Sequence, residues 1–380
     1  MVFEVLTFPD LVPNPGKLAA VQALKGTTDG AVSLLALDQN SDLWRLDLHS
    51  GYAVMLLHVD IPGLDLQEPV QIVVSPDECF AAVSGRFSQH AALYDLQECK
   101  LIMPLSRGTY HYDVCTFPLA FTEHEGRTLL IHGTEWNRLD LLDVRSGENL
   151  SDRQTPVRDG DQYGEHDLDY FHGKIHVSPQ GDWIVDTGWI WHPIASIRSW
   201  SLSAWLTNCW ESEDGVTVRE LGAYMEDWDQ PAVWLDSSTL AVWGQLAIDM
   251  YDEEDMLEYG DNKYSYFLAV FDAQTGERKK LFIPVPAYRT KPLADGGTYY
   301  PHGQIAAVNG RIVMWGPENG LSVFNPDTGE MEFSEKTFCP EFYHPYAGVF
   351  LEKTLSDEHT KHERNYHGGI LHVNPNSVNK

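Results

Sequence analysis

Residues 143–147 read DVRSG, and the pattern returns as DLHSG at 47–51, DAQTG at 272–276 and NPDTG at 325–329. The Asp or Asn opens a tight turn by accepting backbone N–H groups on its side chain, and the glycine supplies the positive φ that lets the chain reverse. Each copy follows a short apolar run such as DLWRL or YFLAVF, so each is the end of a strand turning into the next. Asp95-Leu-Gln-Glu-Cys99 and Ser201-Leu-Ser-Ala-Trp205 are degenerate copies. Gly51 and Gly147 lie 96 residues apart with one degenerate copy between them, so the unit is about 48 residues long.

Working outward, a second signature precedes these turns by roughly twenty residues. It reads Ser75-Pro76-Asp77-Glu78 and Ser178-Pro179-Gln180-Gly181. Together the two signatures delimit four strands, which in one copy are VQIVVS, CFAAVSG, AALYDL and KLIMPL. Almost nothing reads as a helix, so the chain is expected to be all-β. Four short strands per unit and this period resemble a seven-bladed β-propeller of the broad WD40/YVTN-like class, over nearly the whole chain. The third strand of such a blade ends in an aromatic or aliphatic residue followed by Asp. Leu46-Asp47, Tyr94-Asp95, Leu142-Asp143 and Phe271-Asp272 match; Trp200-Ser201 and Phe324-Asn325 depart. The strict Trp-Asp pair is absent, so the resemblance implies the fold and no particular activity.

Six copies are complete, leaving GVFLEK and GGILHVN late in the chain and VFEVLTF at its start. Apart, each would be an unpaired edge; joined, they make a seventh blade in which the first strand closes the last. Residues 1–380 are accordingly expected to form one propeller domain of four-stranded antiparallel blades, with six blades and loose tails as the alternative.

Composition narrows the partners. With 26 basic and 56 acidic residues the formal charge is −30, which repels nucleic-acid phosphates and favours basic protein or peptide partners. The five cysteines show no CxxC spacing, and the first residues carry Glu4 and Asp10 within the apolar run and no basic segment. No apolar stretch approaches the ~20 residues of a membrane helix. A cytoplasmic, non-membrane protein is the expectation.

Blade topology then sorts the unusual residues. Loops joining second to third strands, and fourth strands to the next first strand, share one face, here called upper; the turns quoted above lie on the lower face. Residues 186–193, DTGWIWHP, fall at the second-to-third connection of blade 4. Trp189, Trp191 and His192 read as the packing that closes this hairpin or as an anchor for a partner, packing being preferred. Just before the first strands come His172, Asp229, His302 and His344, all expected at the channel mouth. His172, His302 and His344 are candidate metal ligands, and a divalent metal is the one cofactor the sequence suggests. In the WD40 class a histidine near this turn instead bonds a buried Asp, which is the competing reading for His172 and His302.

An acidic run, 249–261, includes Tyr251, Asp252, Glu253, Glu254 and Asp255, and falls between the second and third strands of blade 5; a second, 159–169, leads into blade 4 and Tyr170. With Tyr300 these residues mix acid and aromatic side chains, a composition suited to Lys- or Arg-bearing peptides. Sequence motifs for hydrolase, nucleotide or zinc-protease chemistry are absent. The expected function is a non-enzymatic interaction module with an acidic, aromatic face. A metal-dependent hydrolase or lyase at the channel-mouth histidines, and a sensor of small ligands, are the alternatives.

Overall fold

The computed structural model describes residues 2–26, 30–154, 164–190, 194–225, 229–246, 265–287, 303–316, 319–353 and 366–372. Among them the strands form seven separate antiparallel sheets, six of four strands and one of three. Each sheet is one blade. In chain order, blades 1 to 6 occupy residues 18–58, 70–106, 119–143, 171–225, 232–285 and 304–335. Blade 7 combines Phe342–His344, Val349–Lys353 and Tyr366–His372 with the first strand of the chain, Val2–Thr7. That strand runs antiparallel to Tyr366–His372 from Val2 opposite His372 to Thr7 opposite His367. The fold is a seven-bladed β-propeller.

Blades cohere by stacking face to face, and period-two alternation divides each strand between two interfaces. In Phe80–Gly85, every residue of which is buried, Ala81 and Val83 pack with Leu35 and Leu37 of blade 1, while Phe80 and Ala82 pack with Leu119 and Leu130 of blade 3. Seven such apolar clusters occur, one between each pair of neighbouring blades. The cluster that joins Val349 and Leu351 of blade 7 to Val32, Leu34 and Ala36 of blade 1 closes the ring. Inner strands are covered on both faces and therefore read as continuous apolar runs, whereas an outer strand such as Lys100–Ser106 is mostly exposed.

The turn signature behaves as its residues require. Asp143 Oδ1 accepts from the backbone N–H groups of Arg145 and Ser146, each at 3.1 Å, and Gly147 sits at φ 74°. Asp47, Asp95, Asp272 and Asn325 make the same pair of bonds. Cys99, replacing the glycine of the degenerate copy, is held at φ 52°. Ser201-Leu-Ser-Ala-Trp205 is the exception. Ser201 stands where the other copies carry Asp or Asn, and it caps a short helix, Leu202–Trp205, followed by a second helix, Glu211–Asp214. No helix among the described residues is long and apolar enough to cross a membrane.

Candidate functional site

His172 opens the first strand of blade 4, Phe171–Val177, on the upper face. Its Nδ1–H donates to Asp186 Oδ2 at 2.6 Å, and the other oxygen of Asp186 accepts from Gly173 N at 2.9 Å. Both side chains are almost wholly buried. The glycine after the histidine is required by space, since a Cβ there would lie 2.6 Å from the carbonyl oxygen of Thr187. The pair ties the first strand of the blade to its second strand, Trp183–Ile190, while the other ring nitrogen of His172, Nε2, is buried with no hydrogen-bond partner among the described residues.

His344 lies on the opposite face. It ends the inner strand of blade 7, Phe342–His344, at the turn into Val349–Lys353, the place that Ser75 and Ser178 take in their blades. The expectation of a channel-mouth position fails because His344-Pro345 is a variant of the Ser-Pro turn and not a residue before a first strand. Its Nε2–H donates to the Ser33 carbonyl at 2.9 Å and its Nδ1 accepts from Ala347 N at 3.1 Å, which fixes a neutral ring. Burial holds this imidazole below the ordinary histidine range, although the Ser33 carbonyl favours the proton. His302 lies outside the described residues. Among those described, no three His, Cys, Asp or Glu side chains gather as metal ligands.

The hairpin of DTGWIWHP is longer in strand than its sequence suggests. The second strand continues through Trp189 to Ile190 and the third begins at Ile194; Trp191 and His192 lie outside the described residues. Trp189 pairs with Phe171 across the ladder, and their rings stack with centroids 4.0 Å apart and planes 5° apart. Phe171 meets Trp136 at 4.5 Å, and Trp136 meets Tyr110 at 5.3 Å. The result is an aromatic ridge across the tops of blades 3 and 4. Phe171 is fully buried, Trp136 and Trp189 are half-buried, and Tyr110 is 49% exposed. Tyr170 is not part of that surface. It is fully buried, its hydroxyl donating to Ser196 O at 2.8 Å and accepting from Gly188 N at 2.9 Å.

The channel mouth holds a second constellation. Asp229, before the first strand of blade 5, adopts φ 58°, a conformation Asp tolerates better than most residues. Its Oδ2 accepts from Thr116 Oγ1 at 3.0 Å and pairs with Arg86 Nη2 at 3.2 Å. Arg86 belongs to blade 2 and Thr116 to the approach to blade 3, so this clasp reaches over blade 4. Behind it, Arg107 is buried and donates to the carbonyls of Ser88, Tyr112, Cys115 and Thr116. Burial lowers this guanidinium to about 10 and pushes the neighbouring Cys115 thiol up to about 12, so the thiol is unreactive. All five cysteines are free. Beside the clasp is a cavity of about 280 Å³ whose lining includes Gln71, Arg86, Lys174, Asp229 and Ile305.

Trp189 and Asp229 therefore stand on the upper face as their sequence positions imply. Tyr251, the acidic residues Asp252, Glu253, Glu254 and Asp255, and Tyr300 lie outside the described residues. Sequence reasoning missed Arg86, Tyr110, Trp136 and Lys174. For two of these a signal existed: Arg86 and Trp136 occupy the same second-to-third connection in blades 2 and 3 that Trp189 borders in blade 4. Tyr110 lies in the connection from blade 2 to blade 3, also an upper-face loop.

No family model matches this chain, and no curated protein matches it in sequence. Solved structures do resemble it. A chain in the crystal structure of a mitotic checkpoint complex superposes with a TM-score of 0.51 at 13% identity, covering 97% of this chain and 91% of that one. U3-55K superposes with a TM-score of 0.51 at 11% identity, covering 97% of this chain and 98% of its own. At such identities the likeness is one of fold.

Proposed function

We propose that the chain is a protein-interaction platform whose upper face receives a basic protein or peptide. The observation that carries this reading is the aromatic ridge. Tyr110, Trp136 and Trp189 all pack against buried Phe171, Trp189 by stacking, so they lose little freedom when a partner covers them, which is what an anchor needs. The charge of −30 supplies steering toward cationic partners. The acidic run at Asp252, Glu253, Glu254 and Asp255, which joins the second and third strands of blade 5, is proposed to contribute to it. Likeness in fold to a chain of a mitotic checkpoint complex, itself an assembly of proteins, supports the same reading.

The test is surface plasmon resonance against Lys/Arg-rich peptides that carry one aromatic residue, with acidic peptides as controls. The basic peptides are expected to bind, and added salt to weaken them by screening the exposed charges. Tyr110→Ala or Trp189→Ala should mainly speed dissociation; Asn/Gln at positions 252–255 should mainly slow association. Affinity that ignores salt and all of these substitutions would place the contact elsewhere on the ring.

A further inference from the structure

Among the described residues, the clasp at the channel mouth leaves a positive charge unbalanced. Arg86 and Lys174 line the cavity there, and Asp229 is the one carboxylate among its described lining residues. In a chain of net charge −30 such a basic concavity runs against the composition of the whole surface. Arg107 is satisfied by four carbonyls, and Arg86 is committed to Asp229 and Thr116. Lys174 is different: among the described residues it makes no hydrogen bond or ion pair, and its charged neighbours are Arg86, which repels it, and Asp229, which attracts it. Its side chain is exposed toward the channel. The surrounding walls nevertheless lower its pKa by desolvation, the larger effect, with repulsion from Arg86 second. An anion beside this ammonium would relieve both.

The lining of the cavity also includes the apolar residues Val70, Pro231, Ala232 and Ile305, beside the polar Gln71, Thr116, Gln230 and Gln304. The cavity volume, about 280 Å³, lies at the lower end of what small-molecule sites enclose. A fully hydrated inorganic anion gains nothing from the apolar residues, whereas a short hydrocarbon body does. We propose that the channel mouth is a binding site for a small organic carboxylate, its charge set between Lys174 and Arg86 and its apolar body against Val70, Pro231 and Ile305. The lining of the cavity shares no residue with the aromatic ridge, so the two surfaces are tested by different substitutions.

The experiment is isothermal titration calorimetry and thermal melting of the intact chain with butyrate, benzoate and succinate as probes, and inorganic phosphate as the comparison. At least one carboxylate is expected to bind with one-to-one stoichiometry and raise the melting temperature, while phosphate binds more weakly than that carboxylate. Lys174→Met should weaken the carboxylate by about tenfold or more, because it removes a charge-assisted contact. The same change should leave the unliganded protein folded with little change in its melting temperature, since Lys174 is exposed and makes no hydrogen bond among the described residues. Binding should also fall with rising pH earlier than an ordinary lysine would lose its proton. Asp229→Asn, which removes the competing carboxylate, should tighten binding. The site is overturned if none of the three carboxylates binds at millimolar concentration. Equal binding to Lys174→Met, or phosphate binding as tightly as the best carboxylate, would overturn it as well.

Discussion

Among the described residues, blades 7 and 3 both lack four consecutive strands, and the ring completes them in different ways. Blade 7 recruits backbone: Val2–Thr7 pairs along Tyr366–His372, and the chain then continues onto blade 1, where Val12 N donates to Gly51 O and Val12 O accepts from Ala53 N. Gly51 is needed at that contact, because a Cβ would approach the Asp10 carbonyl to 2.6 Å. Blade 3 instead recruits side chains. After Asp143 the described residues make a single bridge, Leu142 with Asn149, and Leu150 N donates to Leu141 O, in place of a fourth strand. Arg153 then folds in, bonded to Asp140 at 3.0 Å, to Glu213 of the blade 4 helical insertion, and to the Leu139 and Ser151 carbonyls. Trp210 from the same insertion lies against its guanidinium, 5.4 Å from ring centroid to Cζ. Glu211, Ser212 and Glu213 are all buried there.

The difference concerns tolerance. A backbone ladder accepts many side chains, so blade 7 is specified by pattern and by the presence of the strand. The blade 3 edge depends on particular charges, since a buried ion whose partner is removed is left without compensation. That insertion also explains why Ser201–Trp205 abandons the repeat: it supplies the cover that blade 3 does not make for itself.

The largest effect is expected from deleting residues 2–7. Six ladder positions are lost and the edge at Tyr366–His372 is exposed, so the protein should lose a large share of the ~5–15 kcal/mol that holds a domain folded. Thermal melting and size-exclusion chromatography read this out as a lower, broader transition with self-association. An unchanged melt would mean the ring closes without its first strand.

Arg153→Met comes next, at about 3–5 kcal/mol by urea denaturation, because Glu213 is left buried without its cation, while Asp140 keeps Arg138 at 3.0 Å. Replacing all three, with Met at Arg153 and Leu at Asp140 and Glu213, should recover only part of that loss, because Arg138 then loses the Asp140 carboxylate 3.0 Å away. If the triple variant is no better than the single one, the apolar surroundings cannot absorb the site and the network is needed for shape as well as charge.

The turns give the smallest effects and separate the two kinds of edge again. Gly147 leads into the bridged edge of blade 3, and no atom lies within 4 Å of a Cβ placed there. Gly147→Ala should cost only the positive-φ penalty, about 1–2 kcal/mol. Gly329 leads into the complete fourth strand of blade 6, Met331–Glu335, where a Cβ would run into the Phe282 ring. Gly329→Ala should therefore cost more than Gly147→Ala by the same denaturation measurement. The reverse order would show that the bridged edge, not packing, decides the cost.

Local chemistry by itself determined the repeat. An Asx side chain, a positive-φ glycine and strands of alternating or continuous apolar residues act within a few positions of one another, so the blades, their number and the closing role of Val2–Thr7 were readable from the order of residues. The same was true of the upper face, since strand direction dictates which loops share it. Only the tertiary structure decided which side chains meet. His172 faces Asp186 inside blade 4, His344 sits at the opposite end of the ring, and Tyr170 is buried. Arg86, Thr116, Lys174 and Asp229 come together from four blades or their approaches, and Arg153 meets Glu213 sixty residues on. Such meetings depend on ring closure and on the rotation of each blade against the next, and no local spacing encodes them. Their energies are also those of burial, where a charge gains or loses by what lies beside it in space and not by its neighbours along the chain.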